Sequence, residues 1–137
     1  MRIHSLLLIG AVAFVARGMT DALPAGDQSQ LGMNREAAAK LAAYESEMAS
    51  VLGALAAKAK GNTDAIAKLD RAQVAWQAYR DAQVDALWPF PERSSYGSVN
   101  PMCVADARSV LTKARISELR AMLEPAEHDV CSSQWPD

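Results

Sequence analysis

Apolar residues recur along this chain in steps of three and four, and no stretch alternates in the manner of a strand. Leu41, Tyr44, Met48, Leu52, Leu55 and Ala59 mark one face of a first helix, predicted from about Arg35 to Lys60. Asn34 is placed to cap its start, and its many alanines favour helix on propensity alone. Gly61-Asn62-Thr63 predicts the stop, with glycine past the helix end and Asn62 or Thr63 capping the next element. A second stripe runs Ile66, Leu69, Gln73, Trp76, Arg80, Val84, Leu87, giving a helix from about Asp64 to Leu87 that Pro89 and Pro91 terminate. A third, opened by Asn100 as cap and Pro101 in the first turn, runs Val104, Arg108, Leu111, Arg115, Leu119, Met122 and ends before Pro125. The short turn between the first two favours an antiparallel pair. The pattern predicts an all-α fold: a small three-helix antiparallel bundle with one long loop, Trp88 to Val99 (WPFPERSSYGSV), between helices 2 and 3.

Two of these stripes contain arginine where a core residue is expected. An unpaired guanidinium on a buried face is prohibitive, so Arg80 and Arg115 need carboxylate partners or an open surface. Asp81 follows Arg80 directly and points to another side of the helix, which assigns it to Arg115 instead. Glu45 or Glu47 on the first helix is the expected partner of Arg80. An arginine fork on a carboxylate fixes helix register by its direction more than it adds stability. The stretch WQAYRD, Trp76 to Asp81, therefore reads as scaffold; the competing reading is a surface grip on a partner.

The first residues are of a different kind. A short basic head, the apolar run Leu6 to Ala16, and the small residues Ala16-Arg17-Gly18 form a secretory signal pattern, assigned to residues 1–18, with a cut after Ala22 or Ala25 also compatible. An uncleaved anchor is the alternative, although the run is short for a membrane span. Residues 19–33 read as a flexible leader and 34–137 as the helical domain. Losing Arg2 and Arg17 would leave 12 Lys+Arg against 16 Asp+Glu, a net charge of −4. That mild acidity disfavours nucleic acid and suits a cationic protein partner. In an oxidising compartment Cys103 and Cys131 are candidates for one disulfide. Twenty residues of helix rise ~30 Å, and the eight-residue step after Leu123 spans at most ~27 Å. The bridge therefore requires the tail to run straight back along the helix, or the helix to stop early. An intermolecular bond and free thiols stay open.

Little supports catalysis. No glycine-rich phosphate loop and no nucleophile with an evident base is present, so no enzyme activity and no cofactor are predicted. Glu45 and Glu47 lie two apart on a helix and do not face each other. Glu127, His128, Asp129 and Cys131 are close in sequence but lack zinc-site spacing, so no metal site is assigned.

Several motifs together resemble a known family. Gln73, Trp76 and Tyr79-Arg80-Asp81 within AQVAWQAYRDA, the turn YGSVNPM from Tyr96 to Met102, Thr112 and Arg115 within TKARISEL, and Met33-Asn34 with Glu45 stand in order. They are similar to the signature of the LprI-like lysozyme inhibitor family of small, cysteine-bearing bacterial envelope domains, over about Gln30 to Leu123. The family usually carries cysteines where this chain has Val84 and Ala107, with another near Glu36; their joint absence implies that a Cys103–Cys131 bridge replaces the usual one.

The resemblance implies a non-enzymatic protein of the periplasm or medium that binds lysozyme, without stable membrane insertion after signal cleavage. The binding loop is then expected to use Trp88, Phe90 and Tyr96 as aromatic anchors, Arg93 against a catalytic carboxylate, and Ser94 and Ser95 where sugar hydroxyls sit. A mildly acidic inhibitor would be steered to a cationic enzyme. The competing reading has the aromatics, Trp88 above all, folded back to cap the bundle, with Trp135 packing onto the core. Two other functions remain in play: a non-inhibitory accessory, chaperone or immunity-type binding protein, and a small-ligand binder with a pocket near Arg80 and Arg115.

Overall fold

The structure is a computed structural model that describes residues 28–136, with Arg93 described by its backbone alone. The expected signal segment and most of the expected leader lie outside the described residues. Within them the fold is all-helical: α1 (Gln30–Lys58), α2 (Thr63–Leu87) and α3 (Asn100–Leu123), with a short 3₁₀ helix, Arg93–Tyr96, between α2 and α3 and no strand.

α1 starts five residues earlier than its apolar stripe predicts. Ser29 is the N-cap, its Oγ accepting from the Gly32 N–H at 3.0 Å. Asn34, the expected cap, lies inside the helix; its amide accepts from Gln30 Nε2 at 2.8 Å and donates to the Ser98 carbonyl at 3.0 Å. The leader expected over residues 19–33 is therefore helical from Gln30 onward. At the other end Lys60 and Gly61 adopt φ of 45° and 85°, and this left-handed step breaks the helix. Asn62 then caps α2 through Oδ1, which accepts from the Ala65 N–H at 3.1 Å.

Cross-helix bonds order the elements. Asn34 meets Ser98, Lys40 meets Asp106, Glu47 meets Arg120, and Lys58 Nζ donates to the Leu123 carbonyl at 3.2 Å. Positions on α1 and α3 thus rise together, and the two helices run side by side in the same direction. Lys58 sits by the last carbonyl of α3 and in the last turn of α1, where helix dipoles favour a cation. Contacts of α2 run in the opposite order: Gln73 reaches Met48 and Arg115, and further along α2 Arg80 reaches Glu45 while Asp81 faces Arg108.

Met48, Val51, Leu55, Leu69, Ile116 and Leu119 form the core cluster, with Tyr44, Trp76, Met122 and Trp135 packed against it. α3 buries a stripe of small residues, Ala105, Ser109 and Thr112, ahead of Ile116 and Leu119. α1 and α3 accordingly make most of the close interhelical approaches. The tail folds back: the Trp135 indole N–H donates to the Leu55 carbonyl at 2.9 Å, as the competing reading of that tryptophan expected. This keeps the tail at the C-terminal end of α3, a helix away from Cys103. The expected Cys103–Cys131 disulfide is not formed: both thiols are free, Cys103 half-buried and Cys131 exposed. α3 does not stop early but runs to Leu123, and the tail does not run straight back along it, so neither path that the bridge requires is taken.

Candidate binding site

The arginines of α2 and α3 find their partners at the edges of the helix contacts. Arg80 has only 13 % of its side chain exposed; it donates from Nη1 to Glu45 at 3.1 Å and from Nε to Asp81 at 3.2 Å, with its guanidinium 5.2 Å from the centre of the Trp76 ring. Glu45 is the partner expected for Arg80. Asp81 corrects the expectation twice. It does bond its neighbour Arg80, because the long arginine side chain curls around the helix, and its other partner is Arg108 at 3.6 Å rather than Arg115. Arg115 instead donates to Gln73 Oε1 at 3.3 Å and to Glu118 at 2.9 Å. Glu47 pairs with Arg120. Of the other motif residues, Trp76 is half-buried, Thr112 fully buried and Tyr79 exposed.

The loop between α2 and α3 divides into two parts. Trp88 is half-buried and forms the C-cap of α2; its N–H donates to the Asp85 carbonyl at 3.2 Å. Tyr96 is half-buried too, and its hydroxyl accepts the Phe90 N–H at 2.7 Å, closing the loop on itself. The Phe90 and Tyr96 rings lie 6.0 Å apart at a tilt of 33°. Phe90 nevertheless leaves 65 % of its surface in solvent, and Ser94 and Ser95 are exposed on the 3₁₀ turn. Gly97 leaves that turn at φ 74°, a conformation other residues rarely adopt. The loop thus brings Trp88, Phe90 and Tyr96 together on one side of a cleft, while the serines lie on the turn and do not line it.

Sequence reasoning missed the opposite wall. Asn100 was expected to cap α3; the N-cap is Val99, without a side-chain bond, and Asn100 lies in the first turn, buried. Arg108 stood only as a stripe position, and Val84 as a stripe position and a family cysteine position, yet both line the cleft with Asn100. The available signal was the polar residue itself: Arg108 interrupts an apolar stripe as Arg80 does.

The family model described as "Lysozyme inhibitor LprI" matches residues 21–119, well over half of the chain. The chain belongs to the LprI lysozyme inhibitor family. No curated protein and no solved structure matches it. The match spans α1, α2, the loop and most of α3, so the ion-paired helices and the loop both lie inside the family domain. The tail that carries Cys131 and Trp135 lies beyond it. Among the described residues no group of three His, Cys, Asp or Glu gathers as a metal site. The Asp129 carboxylate is instead committed to the local turn, accepting the Cys131 N–H at 2.9 Å. No described helix is long and apolar enough to cross a membrane.

Proposed function

We infer that this chain is a secreted or periplasmic protein that inhibits lysozyme by binding it, with no catalysis of its own. The observation that carries the reading is the family match over residues 21–119. The N-terminal pattern of the sequence, a basic head and an apolar run over residues 1–18, supports export. The order of the cross-helix bonds supports an up-down-up bundle, with α2 antiparallel to α1 and α3. In that frame the loop of residues 88–99 is the binding element. Phe90 is the anchor, since an aromatic ring left 65 % exposed gains most from burial in a partner's pocket. Ser94 and Ser95 supply hydrogen bonds, and Arg93 supplies a cation for a carboxylate in the lysozyme cleft. Trp88 and Tyr96 hold the loop in shape from beneath.

The test is inhibition of lysozyme on cell walls by the purified mature protein, beside a Phe90→Ala, Arg93→Ala variant. The expected result is saturable inhibition that weakens with salt and drops at least ~10-fold in the folded variant, the loss of one anchor and one charge pair. Inhibition unchanged in the variant would move the site off the loop. No inhibition at micromolar protein would favour the accessory or immunity-type reading.

A further inference from the structure

The loop aromatics border a cleft of about 250 Å³ where the end of α2 meets the start of α3. Trp88, Phe90 and Tyr96 line it together with Asp85 from the last turn of α2 and Val104 and Arg108 from α3. The charge of Arg108 is already engaged, since its Nη2 faces the Asp81 carboxylate at 3.6 Å. Asp81 also accepts from Arg80, which donates in turn to Glu45. Asp85 stands apart from this network. It is exposed, its carboxylate has no ion pair or hydrogen bond among the described residues, and the last turn of α2 holds no basic residue. The network and Asp85 together set two guanidiniums against three carboxylates, and the unmatched carboxylate lines the cleft. The C-terminal end of α2 and the N-terminal end of α3 both border it, so their opposite partial charges offset and the side chains set its sign.

Water satisfies an exposed carboxylate. A partner seated on Phe90 removes that water, because Phe90 and Asp85 line the same cleft. A charge covered in this way is strongly unfavourable unless the partner brings an opposite one. An acidic group would meet Asp85 as a like charge, and an apolar group would leave it unpaired. A guanidinium or ammonium group meets the carboxylate and also lies against aromatic rings, whose faces attract cations. We propose that the cleft takes one basic side chain of the protein partner, paired with Asp85 and set against Trp88, Phe90 and Tyr96. Its volume falls below the about 300–1,000 Å³ of small-molecule sites and suits a single side chain. Resting on the reading of the loop as the lysozyme-binding element, the cleft adds what is recognised there, an arginine or lysine at the surface of a cationic enzyme. Phe90 serves the contact with or without that cation, whereas Asp85 makes it specific for one.

The test has two arms, both on the mature protein. In the first, ¹⁵N spectra follow the Trp88 indole N–H, assigned with Trp88→Phe, during titration with Nα-acetylarginine amide and with its neutral counterpart, Nα-acetylcitrulline amide. In the second, calorimetry measures lysozyme binding by the unsubstituted protein, by Asp85→Asn and by Asp85→Glu. Saturable shifts with the arginine probe and none with the citrulline probe are expected. Asp85→Asn keeps the shape and removes the charge at an exposed position, where folding does not depend on it. It should weaken the arginine probe and lysozyme alike by about tenfold, as loss of one charge-assisted hydrogen bond does. Asp85→Glu keeps the charge and should stay close to the unsubstituted protein. The proposal is overturned if the arginine probe shifts Trp88 no more than the citrulline probe, or if lysozyme binds Asp85→Asn undiminished. Lysozyme binding by the unsubstituted protein then leaves the loop reading in place. Conversely, arginine binding that is lost in Asp85→Asn, with no lysozyme binding at all, upholds the cation site and removes lysozyme as its partner.

Discussion

α3 meets its two neighbours by different means. Toward α1 it presents small side chains, with Ala105, Ser109 and Thr112 buried, and the two backbones approach closely along their length. Toward α2 the approach is wider, and α2 buries only Leu69, Gln73 and Val84 outright. The space is filled by Trp76 and by the long side chains of Gln73, Arg80 and Arg115, with carboxylates at the rim. Small residues hold a helix pair through dispersion and burial, which are strong but indifferent to register. The arginine layer adds bonds that form at one register and fail at others. The α1–α3 seam should therefore carry the stability of the fold, and the α2 seam its specificity.

Substitutions can break that contrast. The largest effect is expected at Leu55, fully buried on α1 and roofed by Trp135: Leu55→Ala should cost about 2–5 kcal/mol in urea unfolding. Ser109→Leu on α3 should cost about 1–3 kcal/mol by forcing bulk into the close seam, and a neutral result would show that the seam is loose. On the α2 side, Arg80→Ala should cost about 1–2 kcal/mol by leaving Glu45 without its partner, Asp81 with Arg108 alone and Trp76 uncovered. Arg80→Met should recover most of that loss while broadening the NMR signals of α2, the signature of lost register rather than lost stability. Were Met as damaging as Ala, the ion pairs would be supplying stability after all. The smallest effect is at Thr112, whose hydroxyl is buried without a partner: Thr112→Val should raise the urea midpoint, by about 1 kcal/mol of stability.

The helices were legible because their signals are local. The turn at Gly61-Asn62-Thr63 breaks and restarts the chain through glycine, cap and backbone angle, all set within a few residues. The start of α1 was misplaced for a related reason. The apolar stripe weakens before Leu41, while the alanines and Ser29 carry the helix on propensity and capping alone. At the site, the aromatic loop was legible by composition, and the Arg80–Glu45 pair by the need of a buried guanidinium for a carboxylate. The reach of Arg80 back to Asp81 was not, since a residue's nominal direction on a helix does not limit a side chain of that length.

The sequence by itself determined three helices, their breaks, and the presence of charge on two buried faces, because propensity, capping and periodicity act over one or two turns. Only the tertiary structure decided which carboxylate meets which arginine and that the tail turns back through Trp135 rather than toward Cys103. It also decided that Asn100 Nδ2 and Arg108 Nε are buried without an acceptor. Those outcomes depend on distances between residues far apart in the chain, which are set by how closely helices pack and not by any local pattern.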